Sequence, residues 1–217
     1  MKKGFKISIA LAAVFAIVAG AAYITKASSV MGTGSKYIPP ISGTKLDQYT
    51  SHPNRRLVIV TVQGTIKCQL FENLAPNHVA QFIMLANQHF FDSTYFHRVI
   101  PGFMIQGGDP NTKDNDYSND GMGGYSQRLM AEFSPVHHAR GILSTARQSG
   151  DANSATSQFF IMQADYPSLD NQYTVWGQVT DGMDVVDKIV NLPDVSGVPG
   201  GTNPGRAAMI LQMYVQN

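Results

Sequence analysis

Apolar and polar residues first take up a strand-like pattern just before residue 60. Leu57–Val62 is rich in β-branched residues, Gln63-Gly64 follows as a turn, and Thr65–Phe71 resumes the pattern. Two such runs around a short turn are typical of a β-hairpin. Further short strands, separated by Gly and Pro clusters, are predicted around residues 96–99, 103–107, 141–145, 158–162 and 174–178, with the apolar run 209–215 closing the sheet.

Two other stretches change to helical spacing. A helix is predicted over about 76–88, with Pro76 in the first turn, where proline is tolerated. A second helix is predicted over Gly182–Val190, with Asp181 as its candidate cap. Many short strands with only two helices favour an all-β-dominated fold, a closed or nearly closed barrel covered at its ends by the helices.

The N-terminus carries a targeting pattern. Three lysines in MKKGFK precede the uncharged apolar run Ile7–Ile24. A basic start before an apolar stretch is typical of export. Eighteen residues also approach the length that spans a bilayer, so a cleaved signal peptide and a single-span anchor both stay open for residues 1–27. Lysines on the N-terminal side place the rest of the chain across the membrane.

The expected location is therefore the periplasm, either soluble after cleavage or anchored to the inner membrane. Residues 28–53 are rich in Ser, Gly, Thr and Pro and are predicted to be a flexible linker. The folded domain is then predicted to span residues 54–217.

Composition narrows the chemistry. The 217 residues are 43% hydrophobic, enough to fill a core, and the net charge of +1 gives no field that would recruit nucleic acid. Cys68 is the only cysteine and is predicted to be a half-buried strand thiol. The six histidines show no zinc-binding spacing, and His137 and His138 are expected to point apart on a strand. No metal or cofactor is therefore expected.

The segment FHRVIPGFMIQGGDP (96–110) holds the most distinctive cluster of side chains. In an extended strand, Met104 and Gln106 share one face while Phe103 points to the other. Gly102 stands where a bend would bring Phe103 around to join Met104. Arg98 precedes this group by five residues. Taken alone, the segment is predicted to be a core strand that carries a surface arginine.

Two later segments, GILSTARQSGDANSATSQFFIM (141–162) and PSLDNQYTVWGQVTDGMDVVDKI (167–189), complete a pattern. Together with FHRVIPGFMIQGGD, and in the same order, they closely resemble the cyclophilin family of peptidyl-prolyl cis-trans isomerases over roughly residues 56–215. The resemblance implies a closed eight-stranded antiparallel β-barrel capped by two helices. It also implies an isomerase, or rotamase, that acts on proline-containing polypeptides without a cofactor. A monomer is expected.

The resemblance also implies which residues act. Arg98 matches the family's catalytic arginine, and Gln106 matches the residue that holds the substrate carbonyl or that arginine. The matched substrate-binding positions are Phe103, Met104, Ala146, Arg147, Gln158, Phe160, Leu169 and Tyr173.

Three positions depart from the family pattern. Ser168 stands where many members carry Trp or Phe, so one side of the pocket is expected to open and cyclosporin to bind weakly. Tyr173 stands where many have His and is expected to close the pocket rim. The bulky pair Arg147-Gln148 is expected to narrow the adjoining specificity pocket.

Two other functions stay open from the sequence. A non-catalytic peptide-binding module or holdase would use the same barrel, although binding alone does not require Arg98. A structural envelope protein would use the barrel as a scaffold, with residues 110–135 as a partner surface.

Overall fold

The computed structural model describes residues 48–114, 116–197 and 201–217. The predicted signal or anchor and most of the predicted linker lie outside these residues. Eight strands and two α-helices are present in the described part: β1 (Arg56–Thr61), β2 (Gly64–Leu70), α1 (Pro76–Asn87), β3 (Arg98–Ile100), β4 (Met104–Gly107), β5 (Ile142–Thr145), β6 (Phe159–Met162), β7 (Val175–Asp181), α2 (Met183–Val190) and β8 (Ile210–Gln216). Within the described ranges, neither helix has the length and apolarity needed to cross a bilayer.

The strands form one antiparallel sheet in the order β3-β4-β6-β5-β7-β2-β1-β8. The predicted β-dominated fold with two helices is confirmed, but the prediction of a closed barrel is wrong. The sheet is an open half-barrel because its end strands, β3 and β8, do not pair as a ladder. β3 has only three residues, and its central Val99 bridges to Thr202, while Tyr95 bridges to Met209 next to β8.

The sheet separates two apolar clusters. Alternate side chains of a strand point to opposite faces, and along β6 Phe159 and Ile161 belong to the inner cluster while Phe160 and Met162 belong to the outer one. Phe82 of α1 stacks on Trp176 in the inner cluster, with ring centroids 4.1 Å apart. The outer cluster is the one that lines the candidate site.

Both predicted helices are present, with one correction. Asp181 does not cap α2, because it is the last residue of β7 and pairs there with Lys67. Gly182 takes the cap position instead, with a left-handed φ of 94°. Cys68 lies on β2 as predicted, but it is fully buried rather than half-buried, and burial raises the pKa of its thiol.

Residues 48–53, assigned from the sequence to the linker, lie against the end of β2. The Thr50 hydroxyl donates to the Glu72 carboxylate at 2.6 Å, and the Ser51 hydroxyl donates to Asn73. The Tyr49 ring packs on Phe71, with centroids 5.4 Å apart. The chain therefore joins the sheet beside the outer cluster.

Candidate active site

Strand register sets the frame of the site. Arg98 on β3 lies opposite Gln106 on β4, Gln106 lies opposite Phe160 on β6, and Phe160 lies opposite Ser144 on β5. Residues that are direct partners across neighbouring strands project to the same face of a sheet. The row therefore places the arginine, an amide and an aromatic ring side by side on the outer face.

An apolar cluster lies next to this row. The Gly102 φ of 74° turns the chain just before β4, so that Phe103 packs in the same cluster as Met104 and Phe160. Leu169, from a short 3₁₀ helix at Pro167–Leu169, joins the cluster from a different part of the chain. Met104 and Phe160 are fully buried in this cluster, whereas the exposed fractions of Phe103 and Leu169 are 7% and 5%.

A pair of glutamines closes one end of the row. Gln106 Nε2 donates to Gln158 Oε1 at 2.9 Å. Gln158 Nε2 donates in turn to the carbonyls of Gly121 and Gly123, at 2.9 and 2.7 Å. The site is thereby tied to the 121–124 loop, and the orientations of both amides are set.

Arg98 is partly buried. Burial lowers the pKa of its guanidinium, and the nearby Tyr173 acts in the opposite direction. Arginine starts from so high a pKa that it keeps its charge in this position. A Cβ built on Gly201 would lie 3.2 Å from Arg98 Cγ, so the backbone of this glycine backs the aliphatic part of the arginine side chain.

Tyr173 and Arg147 form the rim. The Tyr173 ring contacts Phe160 edge-on, with ring centroids 5.6 Å apart. The Arg147 guanidinium lies over the Tyr173 ring, 4.8 Å from its centroid. The Ala146 backbone N–H donates to the Gln158 carbonyl, so peptide pairing at this loop cannot use that N–H. The structure brings all ten residues predicted for the site into one region.

A histidine pair that the sequence did not assign to the site lies behind the pocket. His137 and His138 were expected to point apart, but both Nδ1 atoms bind the Asp170 carboxylate, at 2.8 and 3.0 Å. They lie in an irregular segment rather than a strand, so their side chains need not alternate. His138 Nε2 also meets Ser144 Oγ at 2.8 Å, and its ring stacks on Phe160 at 6.2 Å.

The histidine pair sets the local charge. Burial lowers the pKa of His138, although Asp170 opposes the shift. Burial alone would raise the pKa of Asp170, but hydrogen bonds from both histidines lower it overall. A neutral His138 and an ionised Asp170 therefore support Phe160 from behind.

A cavity of about 370 Å³ adjoins the site. Its lining includes Ala146, Gln158, Gln148 and Arg128. Of the pair Arg147-Gln148 that was predicted to narrow the adjoining pocket, Gln148 lines this cavity, whereas the Arg147 side chain lies over Tyr173 and does not line it. Arg128 is paired with Asp151 at 2.6 Å at the cavity edge.

The family profile described as "Cyclophilin type peptidyl-prolyl cis-trans isomerase/CLD" matches residues 56–215. The chain belongs to this cyclophilin family. A relative from Brucella suis, named "Probable peptidyl-prolyl cis-trans isomerase", is 44% identical over 142 residues, 63% of this chain and 72% of the relative. A "Peptidyl-prolyl cis-trans isomerase" from Synechococcus elongatus is 41% identical over 124 residues, 57% of this chain and 79% of the relative.

Solved cyclophilins share the fold. A crystal structure of a Cryptosporidium parvum cyclophilin-type isomerase, in the presence of the dipeptide ala-pro, superposes with a TM-score of 0.65 at 30% identity. The match covers 75% of this chain and 99% of that one. Family, relatives and solved structures together support peptidyl-prolyl cis-trans isomerisation as the function of this cyclophilin.

One aromatic residue of this cyclophilin site was missed from the sequence. Tyr166 packs on Phe103 with ring centroids 4.5 Å apart, while Ser168, two residues later, is exposed. Tyr166 therefore supplies an aromatic wall from the same loop in which Ser168 was expected to leave an opening. No motif in the sequence singles out Tyr166; it is placed by the turn of the 164–170 loop.

Proposed function

We propose that this chain accelerates rotation about X-Pro bonds in polypeptides by a non-covalent mechanism in which Arg98 stabilises the twisted amide. The observation that carries the proposal is the cross-strand row of Arg98, Gln106 and Phe160 beside the Phe103–Met104 pocket. It combines a fixed cation with an apolar recess on one face of a sheet.

The reaction needs little more than these parts. Rotation about a peptide bond has a barrier of about 18–20 kcal/mol because the C–N bond has partial double-bond character. At X-Pro both isomers are populated, and their exchange takes tens to hundreds of seconds. In the twisted state the proline nitrogen becomes pyramidal and regains a lone pair. A donor that binds this lone pair favours the transition state over either planar isomer.

Arg98 suits the role of this donor. Its guanidinium keeps its charge and presents N–H groups in a rigid plane, and partial burial strengthens its interaction with a developing lone pair. Gln106, the cross-strand partner of Arg98, holds the substrate carbonyl in this proposal. Phe103, Met104, Phe160 and Leu169 receive the proline ring, with Tyr173 at the rim.

The remaining matched residues bind the peptide around the proline. Gln158 orients Gln106 through their hydrogen bond, and Ala146 and Arg147 form the loop along which the extended chain lies. Recognition through backbone groups and one apolar slot implies broad specificity for proline-containing chains.

The deciding experiment measures cis-to-trans exchange of a short X-Pro peptide by NMR, together with a proline-limited refolding assay. Arg98→Ala is expected to lower kcat/KM by roughly 100-fold or more, the size found when one electrostatic donor is removed. Arg140→Ala is the matched control, since that arginine is exposed and paired with Asp187. Equal rates for wild type and Arg98→Ala would overturn the mechanism; binding without catalysis by wild type would favour a holdase.

We also infer that the protein is exported and works in the periplasm on newly translocated chains. The support is the lysine-rich start followed by the apolar run Ile7–Ile24. N-terminal sequencing of the protein purified from the cell envelope distinguishes the two forms. A start near residues 20–28 indicates a cleaved signal, and an intact start in the membrane fraction indicates an anchor. Recovery of the intact protein in the cytosol would overturn the inference.

A further inference from the structure

The side chain of Arg147 is held in one place at the pocket rim. Its guanidinium lies over the Tyr173 ring at 4.8 Å. Its Nε donates to the Gln172 carbonyl and its Nη1 donates to the Gln148 carbonyl, each at 3.0 Å. Three contacts from two sides fix a side chain that would otherwise be free to rotate, so its charge stays beside the ring that borders Phe160.

Arg147 forms no ion pair in the described part of the chain; its charge acts on the Asp151 carboxylate only from beyond 4.0 Å. No carboxylate of the described residues lies within 4.0 Å of the Arg147 nitrogens, whereas Arg128, Arg140 and Arg55 each have an acidic partner. The two groups that accept hydrogen bonds from Arg147 are backbone carbonyls, which orient a guanidinium without cancelling its charge. Asp151, the nearest acid along the loop, is engaged by Arg128 at 2.6 Å.

The candidate site is therefore one-sided in charge. Arg98 lies in the catalytic row and Arg147 lies on the rim. Both nearby carboxylates have partners: Asp170 faces His137 and His138 behind the pocket, and Asp151 is paired with Arg128 at the cavity edge. A client segment laid across the rim meets the guanidinium of Arg147, which has no acidic group within 4.0 Å in the described part of the chain.

We propose that Arg147 is a specificity-determining residue that selects proline segments with an aspartate or glutamate close to the proline. The inference rests on the proposed isomerase function and names a substrate class for it. A client carboxylate at the rim would pair with a guanidinium that is already immobilised, so less side-chain entropy is lost on binding. Pairs at exposed sites are worth up to about fivefold in an equilibrium, and a cation stacked on an aromatic ring is partly screened from water.

The test uses matched peptides in which Glu, Gln or Lys stands at one position, either one or two residues before the proline or one residue after it. Cis-trans exchange by NMR gives kcat/KM for each. At low salt, wild type is expected to favour Glu over Gln by about fivefold at one or more positions. The ratio should shrink toward one at about 0.5 M salt, where charges are screened over a few ångströms.

Variants separate charge from packing. In Arg147→Gln the ratio of kcat/KM for the Glu and Gln peptides is expected to fall to one. Arg147→Glu should instead favour the Lys peptide, and Arg147→Lys should still favour the Glu peptide, but by a smaller factor. Arg140→Gln, which removes the charge of an exposed arginine paired with Asp187, should keep the wild-type ratio. Thermal unfolding of each variant checks that the fold is intact.

Each outcome decides between explanations. A Glu/Gln ratio in Arg147→Gln that equals the wild-type ratio, or a wild-type ratio of one, would overturn the specificity role. Arg147 would then serve only to pack against the Tyr173 ring. Failure of wild type to accelerate exchange of any peptide would instead overturn the isomerase proposal, and this inference with it. The neutral Gln peptide distinguishes these two failures, because its turnover does not depend on client charge.

Discussion

Gln106 and Gln158 meet side chain to side chain across the floor of the site, with 2.9 Å between Nε2 of the first and Oε1 of the second. Both are nearly fully buried. Because Gln158 accepts through its oxygen, its amide nitrogen is directed to the carbonyls of Gly121 and Gly123. One buried amide therefore connects the row of Arg98, Gln106 and Phe160 to the loop that borders the adjoining cavity.

Gln158→Glu tests this connection with almost no change in shape. The substitution replaces a nitrogen that donates to two carbonyls by an oxygen that cannot, so we expect the free energy of unfolding to fall by about 1–3 kcal/mol. KM should rise as the 121–124 loop is released. Urea unfolding and peptide kinetics measure the two effects. Gln148→Glu, exposed in the same cavity wall, is the control, and equal losses in both variants would contradict the prediction.

Much of the site could be predicted because its residues lie in contiguous motifs. Arg98, Phe103, Met104 and Gln106 stand within nine positions, and strand alternation together with Gly102 is enough to bring them together. The location of Phe160 opposite Gln106, in contrast, depends on the pairing of β4 with β6. The local pattern of apolar and polar residues does not encode the pairing of strands that are more than 50 residues apart. The role of Phe160 in the site was predicted only from the family resemblance.

Three of the errors share one cause, which is irregular backbone. His137 and His138 were treated as strand residues, and Arg147 was assumed to project into the neighbouring cavity. Both lie outside regular elements, where side-chain direction follows from individual hydrogen bonds rather than from a period of two. The open junction between β3 and β8 has a similar origin, because single bridges at Val99 and Tyr95 replace a ladder there.

Gly108 and Gly150 form a matched pair for testing backbone constraint. Their φ angles are nearly equal, 84° and 82°. A Cβ on Gly108 would lie 2.3 Å from the Ser157 carbonyl oxygen, whereas one on Gly150 would meet nothing within 4 Å. We expect Gly150→Ala to cost about 1–2 kcal/mol of stability from the left-handed conformation alone. Gly108→Ala should cost about 1–3 kcal/mol more, because β6 must also shift.

Chemical denaturation of both variants measures this difference directly. Similar unfolding free energies for the two alanine variants would show that the backbone near Ser157 yields easily. A larger loss for Gly150→Ala than for Gly108→Ala would contradict the steric explanation outright.

The two faces of the sheet predict opposite effects for two phenylalanines. Phe82 lies in the inner cluster, and Phe82→Leu removes its stacking on Trp176. We therefore expect the free energy of unfolding to fall by about 1–3 kcal/mol. The kcat/KM should stay within about twofold of the wild-type value. Phe160 lies on the outer face, and Phe160→Leu should lower kcat/KM by at least about tenfold. A change of one methylene group in a hydrophobic binding pocket already costs about 1–3 kcal/mol in transition-state binding.

Trp176 fluorescence provides the check, because the indole is fully buried in the inner cluster. Its emission should change in Phe82→Leu and stay at the wild-type wavelength in Phe160→Leu. It should also change little when a proline peptide binds, so binding is better followed through Tyr173 or Phe103 resonances. A large emission shift on peptide binding would mean that the two clusters are coupled.

His97, beside the proposed catalytic arginine, predicts how stability depends on pH. Burial, with a smaller contribution from the charge of Arg98, lowers the pKa of His97 to about 4. In the unfolded chain a histidine titrates near 6.5. Between these values the unfolded chain binds a proton that the folded protein does not, so the free energy of unfolding falls as the pH is lowered from about 6.5 to about 4. The loss from this group is on the order of 3 kcal/mol, and it levels off below pH 4.

Urea unfolding at half-unit intervals from pH 7.5 to 4 measures this slope. His97→Gln removes the titrating ring, so its stability should decline less steeply over the same range, whatever its value at pH 7. His89→Asn, which replaces an exposed histidine, is measured beside it as the control variant. His78 and His138 are also buried with lowered pKa values, so part of the slope should remain in His97→Gln. A slope identical to wild type in that variant would show that His97 takes up its proton in the folded protein, and that the strand beside Arg98 admits water.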